Sequence, residues 1–245
     1  MIYLISDLHL TDSDATLNHR FEAFIERLRP NDDLYILGDL FEYWLGDDAV
    51  AFLGHGTTRQ RLANLSANGV GLYFLSGNRD FLVGASFLAE CGMKKLDPEH
   101  ILKVGKHRLL LMHGDSLCTD DIAHQRFRAM VLDPVWQDMF LSKTIDERDA
   151  MARMARYRSN DGKTTKSAEI MDVTAAAVND VMEQHGVTLL IHGHTHRPAV
   201  HQLKGSGAIR HRVVLGDWDT AESIITLTEE KLTLRFHGQD HTLAL

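Results

Sequence analysis

The sequence has few cysteines and no long apolar run, and both absences restrict the class of protein. Only two of the 245 residues are cysteine, and these form neither a ligand-type pair nor a disulfide framework. No stretch approaches the roughly 20 apolar residues that span a bilayer, and the first residues predict a strand rather than an export signal. We therefore expect a protein of a reducing cytosol that is neither exported nor inserted into a membrane.

An excess of basic charge is also missing. The net charge of -8 argues against non-specific binding to nucleic acid, which needs a basic surface. No tandem repeat is visible, and 245 residues can form one domain with a substantial core. We expect a single domain over 1–245, without a nucleic-acid partner and with no evident protein partner. Fifteen histidines are the unusual count.

Five short apolar runs that predict strands end in side chains able to bind metal ions. The strands are 2–5, 34–37, 72–75, 109–112 and 188–191. The side chains that follow them are Asp7 and His9, Asp39, Asn78, His113, and His192, His194 and His196. Ligands bind at the carboxyl ends of strands in α/β folds, so we expect these residues to converge, with Asp39 bridging at the centre.

The motifs are D-x-H, G-D, G-N-x-D, a histidine and G-H-x-H, and in this order they resemble the calcineurin-like metallophosphoesterases. The resemblance implies an α/β fold, an αββα sandwich of two mixed sheets with two metal ions between them. It places His192 outside the ligand set. It assigns Asp7, His9, Asp39 and His196 to the first ion and Asp39, Asn78, His113 and His194 to the second.

The donor types are consistent with this chemistry. Oxygen and nitrogen ligands without thiolate suit Mn, Fe, Co or Zn, and Mn²⁺ is favoured if the sites are near octahedral. Two divalent ions, the carboxylates of Asp7 and Asp39 and one hydroxide leave a charge of about +1. That residual charge favours an anionic phosphate ester or anhydride.

Arg79 indicates a smaller group within this family, because most members have histidine after the asparagine. Longer runs of this chain resemble the pyrophosphatases of lipid A synthesis, which act on UDP-2,3-diacylglucosamine. The runs are residues 35–42, 77–82, 113–121, 170–173 and 190–199. This resemblance implies hydroxide attack on the α-phosphorus, giving UMP and 2,3-diacylglucosamine 1-phosphate, lipid X.

The narrower resemblance also assigns residue roles. Catalysis falls to Asp39, Asn78, Arg79 and His194. Substrate binding falls to Asn78, Arg79, Asp121, Ser159, Lys163, Lys166 and His194. Lys163 departs from the Asn or Thr that is common in the family, which puts its contact in doubt. Phe81 and Leu82 would face the acyl chains.

Residues 122–166 form an insertion that predicts a helical cap. Trp136, Met139 and Phe140 have helical spacing, and the insertion carries nine Lys or Arg and six Asp or Glu, a net charge of +3 against -11 elsewhere. A basic, partly apolar cap suits a phosphorylated amphiphile and could dock on the anionic cytoplasmic face of the inner membrane. The alternative is that the insertion only packs on the core.

Other interpretations stay open at this point. Phe41 predicts a packed loop core, whereas Trp44 fits either that core or a substrate pocket. The chain could act on another nucleotide or phosphodiester, or serve as a non-enzymatic scaffold of the same fold. Helices are predicted over 17–28 and 59–67, and closing strands over 212–215, 223–227 and 231–236, the last two as a hairpin.

Overall fold

The computed structural model describes residues 1–165, 170–203 and 209–245, and over 158–165 it describes the backbone alone. Helices are α1 (Ala15–Ile25), α2 (Gly56–Ala67), α3 (Ala85–Cys91), α4 (Ile122–Val131), α5 (Pro134–Leu141), α6 (Ile145–Thr165) and α7 (Ala175–Gln184). Strands are β1 (Ile2–Ile5), β2 (Asp33–Leu37), β3 (Gly71–Leu75), β4 (Met93–Lys95), β5 (His100–Val104), β6 (His107–Leu111), β7 (Leu189–His192), β8 (Ala199–Leu203), β9 (Arg210–Val214), β10 (Ile224–Leu227), β11 (Lys231–Phe236) and β12 (Gln239–Ala244).

The strands form two mixed sheets. The first has the order β12-β11-β10-β1-β2-β3-β4, and the second has the order β5-β6-β7-β9-β8. Strands β1 to β3 run parallel in register, and so do β6 and β7. The chain therefore turns towards the same edge of a sheet each time one of these strands ends.

Alternating side chains of the strands divide the core into three layers. Leu109 and Leu111 face inward and pack with Leu4 and Leu37 of the other sheet. Leu110 faces outward, into a cluster with α7. The outer face of the first sheet is covered by α1 to α3. This arrangement confirms the predicted αββα sandwich.

Local signals account for several element boundaries. The Asp14 side chain accepts a hydrogen bond from the Leu17 amide and starts α1, which buries Leu17, Phe21 and Phe24 on one face. The helix therefore begins two residues before the predicted 17–28 and ends three residues before its predicted end. The predicted hairpin is confirmed, with Ile225 of β10 opposite Leu234 of β11.

The insertion contains α4, α5 and α6. One face of α6 meets the body of the protein: Ile145 and Ala152 pack on the core, and Arg148 is buried at 3% exposure. The Arg148 guanidinium donates to both carboxylate oxygens of Asp48 at 2.8 and 2.5 Å and to the Leu45 carbonyl. These contacts fasten α6 to the loop that follows β2.

Candidate metal centre

The carboxyl ends of five strands from both sheets meet in one crevice. Asp7 and Asp39 follow β1 and β2 of the first sheet, and His113 follows β6 of the second. Ligand atoms of these three residues lie within 4.8 Å of one another, and so do those of Asp7, His9 and His196. Residues that are almost 190 positions apart in the sequence therefore share one site.

The group proposed for the first ion places donor atoms face to face. His9 Nε2 lies 3.2 Å from His196 Nε2, which is 3.4 Å from Asp7 Oδ1. The other oxygen, Asp7 Oδ2, accepts hydrogen bonds from Ser6 at 2.6 Å and from the His194 amide at 2.9 Å. Asp7 Oδ1 is buried and has no hydrogen-bond partner among the described residues. A cation would satisfy this oxygen, because a buried carboxylate oxygen without a partner is costly.

The group proposed for the second ion has the same character. Asn78 Oδ1 lies 2.9 Å from His113 Nε2 and 2.7 Å from His194 Nδ1, and His113 Nε2 is 3.6 Å from Asp39 Oδ1. His113 Nδ1 lies 2.8 Å from the Leu37 carbonyl, to which it donates. In the neutral ring Nε2 is then an acceptor facing other acceptors, an arrangement that fits a cation between them.

Carboxylates in the crevice favour positive charge at two of its histidines, His113 and His196. Burial lowers the pKa of His113, but Asp39 and Asp7 outweigh this effect and raise it to about 9. Burial likewise lowers the pKa of His196, whereas the neighbouring carboxylates of Asp217 and Asp7 raise it to about 10. Both histidines therefore lie in a negative potential, as ligands of a cation should.

Several candidate ligands also have an unusual backbone conformation, with positive φ. Among the described residues seven that are not glycine have positive φ, and five of these are candidate ligands. Their φ values lie between 53° and 65°. Such conformations cost free energy and persist where the surrounding structure imposes them, commonly at functional sites. The five are Asp7, His9, Asp39, His194 and His196.

Two glycines permit the close approach of the ligand loops. A Cβ atom at Gly77 would lie 2.1 Å from Asp39 Oδ1, and one at Gly193 would lie 2.2 Å from Asp7 Oδ2. Any larger residue would displace a carboxylate from the crevice. Steric contact with the candidate ligands therefore explains why glycine stands at these two positions of the motifs.

Sequence reasoning missed two acidic side chains beside the candidate ligands. Asp217 Oδ2 lies 3.1 Å from His196 Nδ1 and orients that ring with Nε2 towards Asp7. Glu42 Oε2 lies 3.5 Å from His9 Nδ1. Asp217 follows a strand and a glycine, as Asp39 does, so the same pattern would have identified it. Glu42 lies in the run 35–42, but nothing in the sequence predicts a role for it.

Two arginines converge on Glu42. Arg79 Nη1 donates to Glu42 Oε2 at 3.0 Å, and its Nε lies 3.6 Å from Asp39 Oδ2. Arg156 of α6 donates to Glu42 Oε1. Nothing in the sequence spacing indicated Arg156, because the contact depends on how α6 docks on the body.

Several predicted residues have structural partners. Trp44 is 2% exposed and packs against Phe41, His55 and Phe87, so its interpretation as the lining of a pocket was wrong. Phe41 is fully buried, as expected. His192 Nδ1 donates to the Gly193 carbonyl, and its Nε2 accepts from Arg212. It therefore lies outside the ligand group.

The residues assigned to substrate differ in what the structure shows. The Asp121 side chain caps α4 by accepting from the His124 amide. Phe81 is partly exposed near Trp136, whereas Leu82 belongs to the buried core, so the expectation that Leu82 faces acyl chains is not supported. The side chains of Ser159, Lys163 and Lys166 lie outside the described residues. Their substrate contacts stay predictions.

The sandwich fold and the convergent oxygen and nitrogen donors define a metal-dependent phosphoesterase. The family model described as calcineurin-like phosphoesterase matches residues 1–198. The chain is 48% identical over 216 residues to a UDP-2,3-diacylglucosamine hydrolase of Chromohalobacter salexigens, covering 88% of this chain and 87% of the relative. It is 45% identical to the Escherichia coli (strain IAI39) protein of the same name, covering 94% and 96%. The chain belongs to the calcineurin-like phosphoesterases and, within them, to the family of the UDP-2,3-diacylglucosamine hydrolases.

Among solved structures, the chain is similar to Vps29 from Entamoeba histolytica in its zinc complex. The identity is 14%, the TM-score is 0.48, and the match covers 100% of this chain and 97% of the other.

Proposed function

We propose that this protein hydrolyses the pyrophosphate bond of UDP-2,3-diacylglucosamine, releasing UMP and 2,3-diacylglucosamine 1-phosphate for lipid A synthesis. The observation that carries the proposal is the convergence of donor side chains from both sheets around the unpartnered Asp7 Oδ1, with Arg79 beside them. The substrate is the one named for relatives that are 45–48% identical over most of the chain.

The proposed cofactor is a pair of divalent ions, with Mn²⁺ as the expected metal. Asp7, His9, Asp39 and His196 would hold one, and Asp39, Asn78, His113 and His194 the other. Bound ions of this kind activate water and neutralise phosphoryl oxygens. Mixed oxygen and imidazole donors suit Mn²⁺ as well as Fe, Co and Zn, so the metal is identified by reconstitution.

Arg79 is the side chain that we expect to bind the phosphate and stabilise its negative charge. This side chain is 10% exposed and is oriented by Glu42 and Asp39, so a phosphate in the crevice would meet a fixed, charged fork. Asn78 precedes Arg79 in the chain and lies 2.7 Å from His194, so both would contact the same phosphate. The Asp39 carboxylate accepts from the Arg79 amide at 2.9 Å and thereby fixes the loop on which Arg79 sits.

The cap provides the surface for the diacyl part of the substrate. Ten of the fourteen exposed large apolar side chains of the described residues lie between Ile122 and Tyr157. Such a concentration of apolar surface is uncommon unless it meets a ligand or a membrane. The cap would thus recognise the lipid and rest on the anionic cytoplasmic face of the inner membrane. No described helix has the length and apolar character to cross a bilayer.

The direct test is hydrolysis of UDP-2,3-diacylglucosamine by the purified protein after metal removal and reconstitution with Mn²⁺, Mg²⁺, Co²⁺ or Zn²⁺. We expect UMP and the lipid monophosphate in equal amounts and the highest rate with Mn²⁺. Hydrolysis in ¹⁸O-water places the label in UMP if the α-phosphorus is attacked. Turnover of small phosphodiesters without turnover of the lipid nucleotide would contradict the assignment of substrate.

The membrane contact is tested separately by co-sedimentation with vesicles. We expect binding to vesicles that contain anionic phosphatidylglycerol, weakened by added salt because the attraction is electrostatic. Vesicles of phosphatidylcholine alone are the control. Equal binding to both, or to neither, would contradict electrostatic docking.

A further inference from the structure

A cavity of about 490 Å³ lies next to the candidate metal ligands and has no role in the chemistry proposed above. Its volume is within the range of small-molecule sites, roughly 300–1,000 Å³. We call it the Phe52 cavity. The residues that matter here are Thr11, Ser13, Glu42, Tyr43, Phe52 and Arg156.

The Phe52 cavity opens beside the group proposed for the first ion. Glu42 lines it and lies 3.5 Å from His9 Nδ1. The start of the cap lies beside the other group, since the ring of His124 in α4 is 5.1 Å from that of His194. A substrate that spans the metal centre can therefore place one half beside α4 and the other half in this cavity, which α6 of the cap also lines through Arg156.

An exposed aromatic ring lines the cavity. Phe52 is 48% exposed, whereas the other exposed large apolar residues described outside the cap are the aliphatic Met1, Ile170 and Ile209. Tyr43 lines the same cavity, and its hydroxyl donates to Asp149 at 3.1 Å. Nucleic-acid bases stack on such rings because every base has a π face.

Polar groups for a sugar and a phosphate are also in place. The Thr11 and Ser13 hydroxyl oxygens, 3.1 Å apart, lie in the cavity wall and suit ribose hydroxyls or the edge of a base. Arg156 lines the cavity together with Glu42, to which both Arg156 and Arg79 donate hydrogen bonds. A phosphate that replaced the Glu42 carboxylate would thus meet two guanidinium groups.

We propose that the Phe52 cavity binds the nucleoside monophosphate half of the substrate. The inference rests on the proposed function. In that reaction the oxygen of water bonds to the α-phosphorus, and the bond from this phosphorus to the bridging oxygen breaks. The bridging oxygen leaves with the lipid monophosphate, and the proton of the water passes to solvent. UMP is therefore the product that contains the attacked phosphorus. Its base stacks on Phe52.

The test measures how much the base contributes to binding. UMP and ribose 5-phosphate are compared as competitive inhibitors of Mn²⁺-loaded protein that hydrolyses bis(4-nitrophenyl) phosphate. We expect UMP to inhibit roughly 5- to 150-fold more strongly, because stacking of one base on an aromatic ring contributes this much to binding. In Phe52→Ala that ratio should fall towards one. Phe127→Ala removes an exposed aromatic ring of the cap and should leave the ratio unchanged.

A second measurement covers the case in which Phe52→Ala fails to fold. Thr11→Val keeps the side-chain volume and should weaken UMP and ribose 5-phosphate alike, with their ratio retained. Equal inhibition by the two compounds in the unmodified protein, or an unchanged ratio in Phe52→Ala, would overturn the inference.

The outcome is separable from that of the proposed function. If UDP-2,3-diacylglucosamine is hydrolysed but UMP binds no better than ribose 5-phosphate, only the Phe52 cavity is misassigned. If the lipid nucleotide is not hydrolysed but the ratio falls in Phe52→Ala, the cavity still binds nucleoside monophosphates and the lipid substrate is wrong.

Discussion

Several side chains of the crevice are both buried and charged, so their substitution tests the proposed roles directly. Asp39 is 2% exposed, and burial raises the pKa of its carboxyl to about 7. The protein keeps this costly group at the junction of the two donor groups. A bound cation would restore the carboxylate form, because opposite charge favours ionisation.

We expect Asp39→Ala to abolish turnover, since both proposed ions share this carboxylate. Metal content, measured by mass spectrometry of desalted protein, should fall together with activity. Asp97→Ala removes an exposed carboxylate and serves as the matched control. Substantial turnover of Asp39→Ala at saturating Mn²⁺ would show that Asp39 is not the bridge.

Arg79→Lys retains the charge but loses the planar fork. We expect kcat to fall roughly 10- to 150-fold, the effect of one lost charge-assisted hydrogen bond, with metal content unchanged. The comparison of kcat with bound metal decides the role. Loss of metal in Arg79→Lys would assign Arg79 to the architecture of the site instead.

His55 makes stability depend on pH at a position away from the ligands. Burial lowers its pKa to about 4, whereas the unfolded chain takes up a proton near pH 6.5. The neutral ring therefore contributes fully above about pH 6.5, and this contribution is lost as the pH falls towards 4. The loss amounts to at most about 3 kcal/mol at the lower end.

His55→Gln cannot take up this proton, so its free energy of unfolding should change less between pH 6.5 and 4.5 than that of the unmodified protein. Urea unfolding at a series of pH values provides the measurement. Parallel pH profiles for the two proteins would contradict the assignment of a buried neutral imidazole.

At the scale of elements, α6 is held to the body by a periodic face rather than by a continuous apolar stripe. Its positions 145, 148, 149, 152 and 156 recur at the spacing of one helical face. Two of these positions are apolar, and three are charged residues that bind the loop after β2. Local sequence patterns give little sign of such a docking face.

Arg148→Ala removes the buried anchor of this face. Because Asp48 is 60% exposed and can be solvated, we expect a loss of only about 2 kcal/mol in stability, together with faster proteolysis within residues 142–165. Arg126→Ala, an exposed position on α4, is the matched control. Unchanged proteolysis of Arg148→Ala would show that other contacts hold the cap.

The strands that carry the candidate ligands could be predicted from the sequence, whereas the edge strand β12 could not. The apolar runs before Asp39 and His113 are buried strands, and their apolar composition is what predicts burial. In contrast β12, with the sequence QDHTLA, is a largely exposed edge strand whose composition follows no burial pattern. Arg156 reaches Glu42 only through the docking of α6, a tertiary event that no local period encodes.

At the scale of the whole molecule, candidate ligands of both proposed ions come from both sheets, so metal binding and stability should be linked. We expect a chelator to lower the melting temperature and added Mn²⁺ to restore it. Saturation at about 100 times the dissociation constant contributes about 2.7 kcal/mol. The measurement is a thermal melt over a Mn²⁺ series. Asp97→Ala should follow the same dependence, whereas Asp39→Ala should show little response to Mn²⁺.

The place of β1 in the first sheet has a consequence for synthesis on the ribosome. This strand lies centrally in the sheet, yet its antiparallel neighbour β10 follows it by about 220 residues in the chain. At roughly 5–20 residues per second, more than ten seconds separate the two strands. During that interval the nascent chain exposes one edge of β1, and Asp7, Asp39 and Asn78 wait for their histidine partners. Chaperones that shield unpaired strands would therefore affect the yield of this protein more than its final stability.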